Sequence, residues 1–198
     1  NSVRAPVILE PPDLSDVTTR VSVSLPAILD ERVAWLSGYL LGDGYIQQKA
    51  PRGGSPYILK FAVTPNLEAE LIRRLQEAFG VEPRLVSIAS TQKCKEVIVG
   101  SVAVLRFFEQ SVGIRGVKYA KLRVPDTILR SPARVVDAFL TGLFLADGYW
   151  PRSKSGRKMP YLTTVSESFA REVAALIQWI GDSVAIRRAE AKRLGRSA

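Results

Sequence analysis

The stretch WLSGYLLGDGY at residues 35–45 returns 104 residues later as FLTGLFLADGY at 139–149, with every position matching in kind. The offset holds for Pro56-Tyr57 against Pro160-Tyr161. It then falls to 102, pairing Glu70 with Glu172, Leu71 with Val173 and Leu75 with Ile177. A period this long does not describe a solenoid. Two copies in one chain predict a pseudo-twofold arrangement, by analogy with symmetric dimers, and hence a monomer that carries its own partner.

Each copy reads in the same order. An apolar helix is predicted over 31–42 and again over 133–146, the second with Ser131 as N-cap and Pro132 in its first turn. Gly44 and Gly148 follow the motif aspartates and are expected to end the helices in the left-handed conformation. Basic loops follow, at 49–55 and 151–158. A strand over 57–64 comes next in the first copy, with Leu59, Phe61 and Val63 alternating against Lys60 and Ala62. Helices are predicted at 66–79 and 168–180, further strands at 84–89 and 93–99, and a helix at 101–110 ending near Gly113. The proline-bearing first 25 residues read as an extended arm, residues 26–125 as the first repeat, and 126–198 as linker and second repeat. Val124-Pro125-Asp126 reads as a turn between the copies. Only 51 residues follow Asp147, too few to repeat everything, so counterparts of the third strand and the last helix are expected to be missing or displaced in the second copy.

Gly38 and Gly42 are four residues apart, as are Gly142 and Ala146, so each pair lies on one helix face. Small residues at that spacing let two helix backbones approach closely. Helices docked on these faces would bring Asp43 and Asp147 side by side at their C-terminal ends. There the carboxylates meet the negative end of the helix dipole, at a cost of about 0.3–1 kcal/mol each, and repel one another. A hard divalent cation such as Mg²⁺ would relieve both penalties with oxygen ligands alone. Such an ion beside paired carboxylates can promote phosphodiester hydrolysis. A single Asp-Gly pair is most often only a turn; its duplication at corresponding helix ends is what suggests a site. An unrelated duplicated protein, in which the pairs merely stop helices, remains the plainer alternative.

Composition narrows the chemistry. The chain has no histidine, which excludes Ser-His-Asp and Cys-His catalysis and imidazole zinc sites. With 28 Lys and Arg against 19 Asp and Glu, the net charge of +9 suits nucleic acid. One cysteine, Cys94, rules out an internal disulfide, so an intracellular, reducing setting is expected. Neither a membrane span nor a signal peptide is predicted.

The nonapeptides LSGYLLGDG at 36–44 and LTGLFLADG at 140–148 resemble the two signature helices of the LAGLIDADG homing endonucleases, and KYAKLRVP at 118–125 is similar to the linker of single-chain and intein-borne members. The resemblance covers about 25–187. It implies an α+β fold of two pseudo-symmetric αββαββα-type repeats forming a DNA-binding β-saddle, with the second repeat shortened. It implies a site-specific, Mg²⁺-dependent endonuclease that breaks both strands of duplex DNA, using Asp43 and Asp147. Ca²⁺ or Mn²⁺ could stand in for Mg²⁺, and the backbone carbonyls of Gly42 and Ala146 could join the metal shell. Lys118 or Lys121 fits the family's late lysine. The chain departs from the pattern at Pro65-Asn66, where Gln-Lys is common, and at Ser166-Glu167. The alternative within the family is a cleavage-deficient DNA-binding domain or an RNA-splicing maturase. Lacking a starting nucleophile, a histidine and a terminal His-Asn, the chain is not expected to splice itself.

On this reading, DNA contacts fall on outward strand faces and adjoining loops. Lys49, Arg52, Lys60, Lys93 and Lys95 serve the first half, and Arg152, Lys154, Lys158 and Arg187 the second. Thr64, Thr91, Gln92, Thr163 and Thr164 could contact bases or phosphates.

Overall fold

The computed structural model describes residues 4–17, 22–47, 57–87, 94–114, 121–149 and 160–188. The duplicated helices form the centre of the molecule. Helix α1 spans Glu31–Asp43, and Asp30 caps it by accepting from the amides of Arg32 and Val33. Nine of its residues, from Val33 to Leu41, are buried, because the sheet covers one side and the second motif helix the other. Strands β1 (Gly44–Gln47) and β2 (Ile58–Val63), helix α2 (Glu68–Phe79), and strands β3 (Arg84–Ser87) and β4 (Lys95–Val99) follow. The strands form one antiparallel sheet in the order β1-β2-β4-β3. Helix α3 (Val102–Arg106) runs on into a π-helical segment, Phe107–Val112, which stops at Gly113 with φ +92°. The first copy therefore completes the αββαββα order.

A short helix α4 (Asp126–Leu129) leads to α5 (Ala133–Asp147), then strands β5 (Gly148–Tyr149) and β6 (Tyr161–Leu162), and helix α6 (Glu167–Trp179). Among the described residues the second copy stops at αββα. Its sheet is a two-stranded one, so the described part of the expected saddle is four strands on one side and two on the other.

Helices α1 and α5 run parallel and touch backbone to backbone. A Cβ built on Gly38 would lie 2.0 Å from the Phe139 carbonyl oxygen, and one on Gly142 would lie 2.0 Å from that of Trp35. Shifting each of these pairs by the repeat offset turns one into the other. The contacts of Gly38 with Leu143 N and of Gly142 with Tyr39 N exchange in the same way. Reciprocity of this kind is the mark of an isologous, twofold contact. The alternation in β2 also holds: Leu59, Phe61 and Val63 are buried in the core that includes α1.

Local details differ from the sequence reading. Gly44 (φ −92°, ψ 164°) and Gly148 (φ −80°, ψ 141°) are extended, not left-handed. Glycine is needed there for space. A Cβ would meet the Leu40 carbonyl oxygen at 2.4 Å in one copy and the Phe144 carbonyl oxygen at 2.2 Å in the other. Ser131 does not cap α5. Its hydroxyl donates to the Thr127 carbonyl, and Pro132 occupies the cap position. Pro125 opens α4 instead of making a simple turn. Strand register also corrects the alignment after the motif: Gly44 faces Phe61 and Gly148 faces Leu162, so Tyr161 corresponds to Lys60 and not to Tyr57. The basic loop lengths differ between the copies, which breaks the constant offset.

The described N-terminal residues contain no helix and are anchored at a few points. Leu9 is buried, and amides of Leu9 and Leu29 bond across to Ala27 and Val7. The Arg4 guanidinium lies 3.8 Å over the Trp179 ring and donates to the Leu129 carbonyl, tying the segment to the second copy. Among the described residues no helix is long and apolar enough to cross a membrane.

If the glycine contacts set the helix spacing, Gly38→Ala and Gly142→Ala should each destabilise the chain by about 1–3 kcal/mol or more through overpacking. Gly80→Ala, at φ +65° with open space around it, should cost about 1 kcal/mol. Urea midpoints that rank Gly80 as the most sensitive of the three would show that the close approach is not what holds the halves.

Candidate metal and nucleic-acid site

The two motif helices end together. A Cβ on Gly42 would lie 2.6 Å from the Ala146 Cβ and 3.2 Å from the Asp147 Cβ. Asp43 is the next residue, so the two aspartates leave adjoining helix ends, Asp43 half-buried and Asp147 exposed. Both helices stop in the same way: the amides of Gly44 and Gly148 close the last turn on Leu40 and Phe144, and the chain leaves directly as a strand. The last carbonyls of a helix carry its partial negative charge. The junction thus gathers two carboxylates and two helix C-termini, an all-oxygen donor set suited to a hard divalent cation. Among the described residues no three Asp, Glu, Cys or His side chains cluster as metal ligands, so an ion here would depend on the Asp43–Asp147 pair and on backbone oxygens.

Tyr39 fixes the first of these ends. It lies one turn before Asp43, is buried, and donates its hydroxyl to the Ala62 carbonyl of β2 at 3.0 Å. Burial, and then the Asp43 charge, push its phenol well above the ordinary tyrosine range, so it stays a neutral donor. The ring stacks on Trp35 with centroids 5.2 Å apart, and the Arg74 guanidinium lies over the Trp35 ring at 4.4 Å.

This arrangement coincides with a family signature. The model for the LAGLIDADG-like domain matches residues 30–111 and 134–197. The chain belongs to the LAGLIDADG-like family. Both matched segments contain one motif helix with its aspartate. The chain is 28% identical to an A-type ATP synthase polypeptide of Pyrococcus abyssi, with 83% of this chain and 15% of that protein aligned. It is 29% identical to the DNA polymerase of Thermococcus kodakarensis (78% and 8%) and 31% identical to the tRNA-splicing ligase RtcB of Pyrococcus abyssi (76% and 17%). It spans less than a fifth of the length of each of these relatives. Two solved structures of homing endonuclease I-DmoI variants share the fold, each with a TM-score of 0.50 and 18% identity over 77% of this chain. One holds nicked target DNA, covering 78% of that chain, and the other holds target DNA, covering 77%; both were obtained in the presence of manganese.

The LAGLIDADG frame sorts the residues singled out from sequence. Asp43, Asp147, Gly42 and Ala146 come together at the helix junction. Lys121 is exposed, at the start of a segment pinned to α6 where Glu172 accepts from Arg123 and from the Val124 amide. Lys60 stands on the sheet face turned away from the helices. Lys95 does not: it pairs in register with buried Val63 and reaches Glu68 at 3.0 Å, because it shares the parity of Val97 and Val99. Thr64, Thr163 and Arg187 are exposed, whereas the Thr164 hydroxyl accepts from the Ser166 amide. Lys118, Lys49, Arg52, Thr91, Gln92, Lys93, Arg152, Lys154 and Lys158 lie outside the described residues. Glu96 lies 3.0 Å from Lys60 on the outward face, and Tyr161 is exposed on β6. Val97, Ile98 and Val99 are all buried, so β4 has no alternation to read; it is the register, with Val97 opposite buried Phe61 and Glu96 opposite Ala62, that puts Glu96 on the outward face.

The phenol of Tyr39 should anchor the last turn of α1. Tyr39→Phe is expected to lose about 1 kcal/mol in urea unfolding, since the Ala62 carbonyl loses its donor; equal stability would mean that packing alone holds the turn.

Proposed function

We propose that this chain is a site-specific homing endonuclease that breaks both strands of duplex DNA in a divalent-metal-dependent reaction, with one aspartate from each repeat. The observation that carries the reading is the junction at Gly42, where the Asp147 Cβ lies 3.2 Å from the position a Gly42 Cβ would take. Asp43 and Asp147 would hold the ion, aided by the carbonyls of Gly42 and Ala146, and the oxygen-only donor set fits Mg²⁺, with Mn²⁺ or Ca²⁺ as substitutes. An ion bound there supplies an activated water and neutralises charge on the leaving oxygen. The chain's own residues do the rest. The docked helices hold both carboxylates in place before DNA arrives, which is the positioning that phosphoryl chemistry rewards. Lys118 or Lys121 offsets charge building on the phosphate. The excess of basic residues draws the duplex in.

The three relatives bear names of unrelated activities, yet each aligns over a short part of its length. We therefore propose that the shared segment is an inserted element of intein or intron origin, whose chemistry is independent of its hosts. Its substrate would then be the uninterrupted host gene.

Wild-type protein with Mg²⁺ should linearise a plasmid that carries the uninterrupted host sequence. Asp43→Asn and Asp147→Asn should each slow that cleavage by more than about 100-fold while the protein still binds the same DNA. Binding without cleavage under Mg²⁺, Mn²⁺ and Ca²⁺ would replace this reading with a cleavage-deficient DNA-binding domain. A preference for intron RNA over duplex would point to a maturase.

A further inference from the structure

We propose that Lys60 and Glu96 together read one G·C base pair in the major groove of the target, in the first half of the site only. The inference rests on the duplex-DNA reading above and adds a specificity-determining pair to it. Lys60 lies on β2 and Glu96 on β4, the two inner strands of the four-stranded sheet. Both project from the face opposite buried Leu59, Phe61, Val63 and Val97. Their charged ends are 3.0 Å apart, and each side chain keeps about a third of its surface in solvent, at 28% and 30%. On the same face, Tyr45 stands opposite Lys60 and is itself two residues past Asp43. Lys60 is therefore one strand, and Glu96 two strands, from the strand that leaves the junction of the two aspartates.

A glutamate at the centre of a DNA-facing sheet needs an explanation. Phosphates repel it, and a surface built only to hold the backbone would carry cations alone. A carboxylate is favourable there when it accepts from a base amino group, and cytosine N4 in the major groove is such a donor. Lysine is the matching donor for guanine O6 and N7. Cytosine N4 and guanine O6 are hydrogen-bonded to each other, so they lie about 2.9 Å apart. A donor and an acceptor 3.0 Å apart on one face present the complementary pattern at the matching spacing. In the free protein the two side chains satisfy each other, so neither is left as an unpaired charge.

Among the described residues the second copy has no such pair at this position. Tyr149 faces Tyr161 where Tyr45 faces Lys60, and Tyr161 is 53% exposed. A tyrosine offers no charge of either sign to that position. The target site should therefore be asymmetric despite the twofold helix contact.

The test is selection of bound sequences from a randomised duplex DNA pool with the full chain. Wild-type protein should enrich sites with one G·C pair that Glu96→Gln shifts toward A·T, because glutamine pairs with adenine N6 and N7. Lys60→Met should lower the guanine preference at that same position by about 5-fold or more. The double exchange Lys60→Glu with Glu96→Lys keeps an ion pair on the face, and so guards against loss of fold; it too should change the preference at that one position. An unaltered motif in all three variants, or weakening spread evenly over all positions, would overturn the inference and leave DNA binding intact. Failure of the wild-type protein to enrich any sequence would overturn the DNA reading and this inference together.

Discussion

The carbonyl oxygens of Trp35 and Phe139 each occupy space within 2.0 Å of where a side chain would begin on Gly142 and Gly38. Two helix backbones can come that close only where the intervening residue has no Cβ. The glycine hydrogen then points at the opposite carbonyl, a contact worth about 0.5–1 kcal/mol net. Most of the architecture follows from that approach. It aligns the helices in parallel, puts their C-terminal ends side by side, and leaves each copy's sheet and second helix to cover the outer sides. The twofold relation is therefore a property of the contact itself, whatever the two copies have lost or gained elsewhere.

The same approach also sets like charges close together. Two carboxylates at two helix C-termini place negative charge where the backbone is already negative. A chain selected for stability alone would have asparagine or a basic residue there. Tyr39, held neutral by burial and by the Asp43 charge, bonds to the strand carbonyl and locks the turn that carries Asp43. Preorganising two like charges in this way makes sense if something positive is to be bound between them.

Much of this was legible from the chain. The duplicated eleven-residue segments, the small residues four apart and the following aspartates pointed to both helices and to their docking face, and the alternation in β2 gave its buried side. What escaped reading depended on which of several possible partners, near or far in the chain, the fold brings into contact. The glycines after the aspartates look like left-handed stops, yet they are extended, because the clash they avoid is with the preceding helical turn and not with their own torsion angles. Ser131 has the chemistry of a cap but bonds backward to Thr127. Lys95 looked like a surface cation until register joined it to Val63 on the inner face. Glu96 went unnoticed because an acidic residue is not expected on a basic surface; its meaning comes from Lys60, which is 36 residues away in the chain. The Arg4 stack on Trp179 could not be read at all, since nothing local links an N-terminal arginine to the last helix.

The proposed metal binding and cleavage would both require the docked glycine faces to bring positions 43 and 147 together. Replacing both aspartates with cysteine, in a chain where Cys94 is serine, allows that to be measured with a thiol reagent that fluoresces only on bridging two neighbouring sulfurs. Rapid bridging within single folded chains, slowed when Gly38→Ala is added, is the predicted result. Two thiols that react independently in the folded protein, with bridging only between different chains or after unfolding, would contradict it.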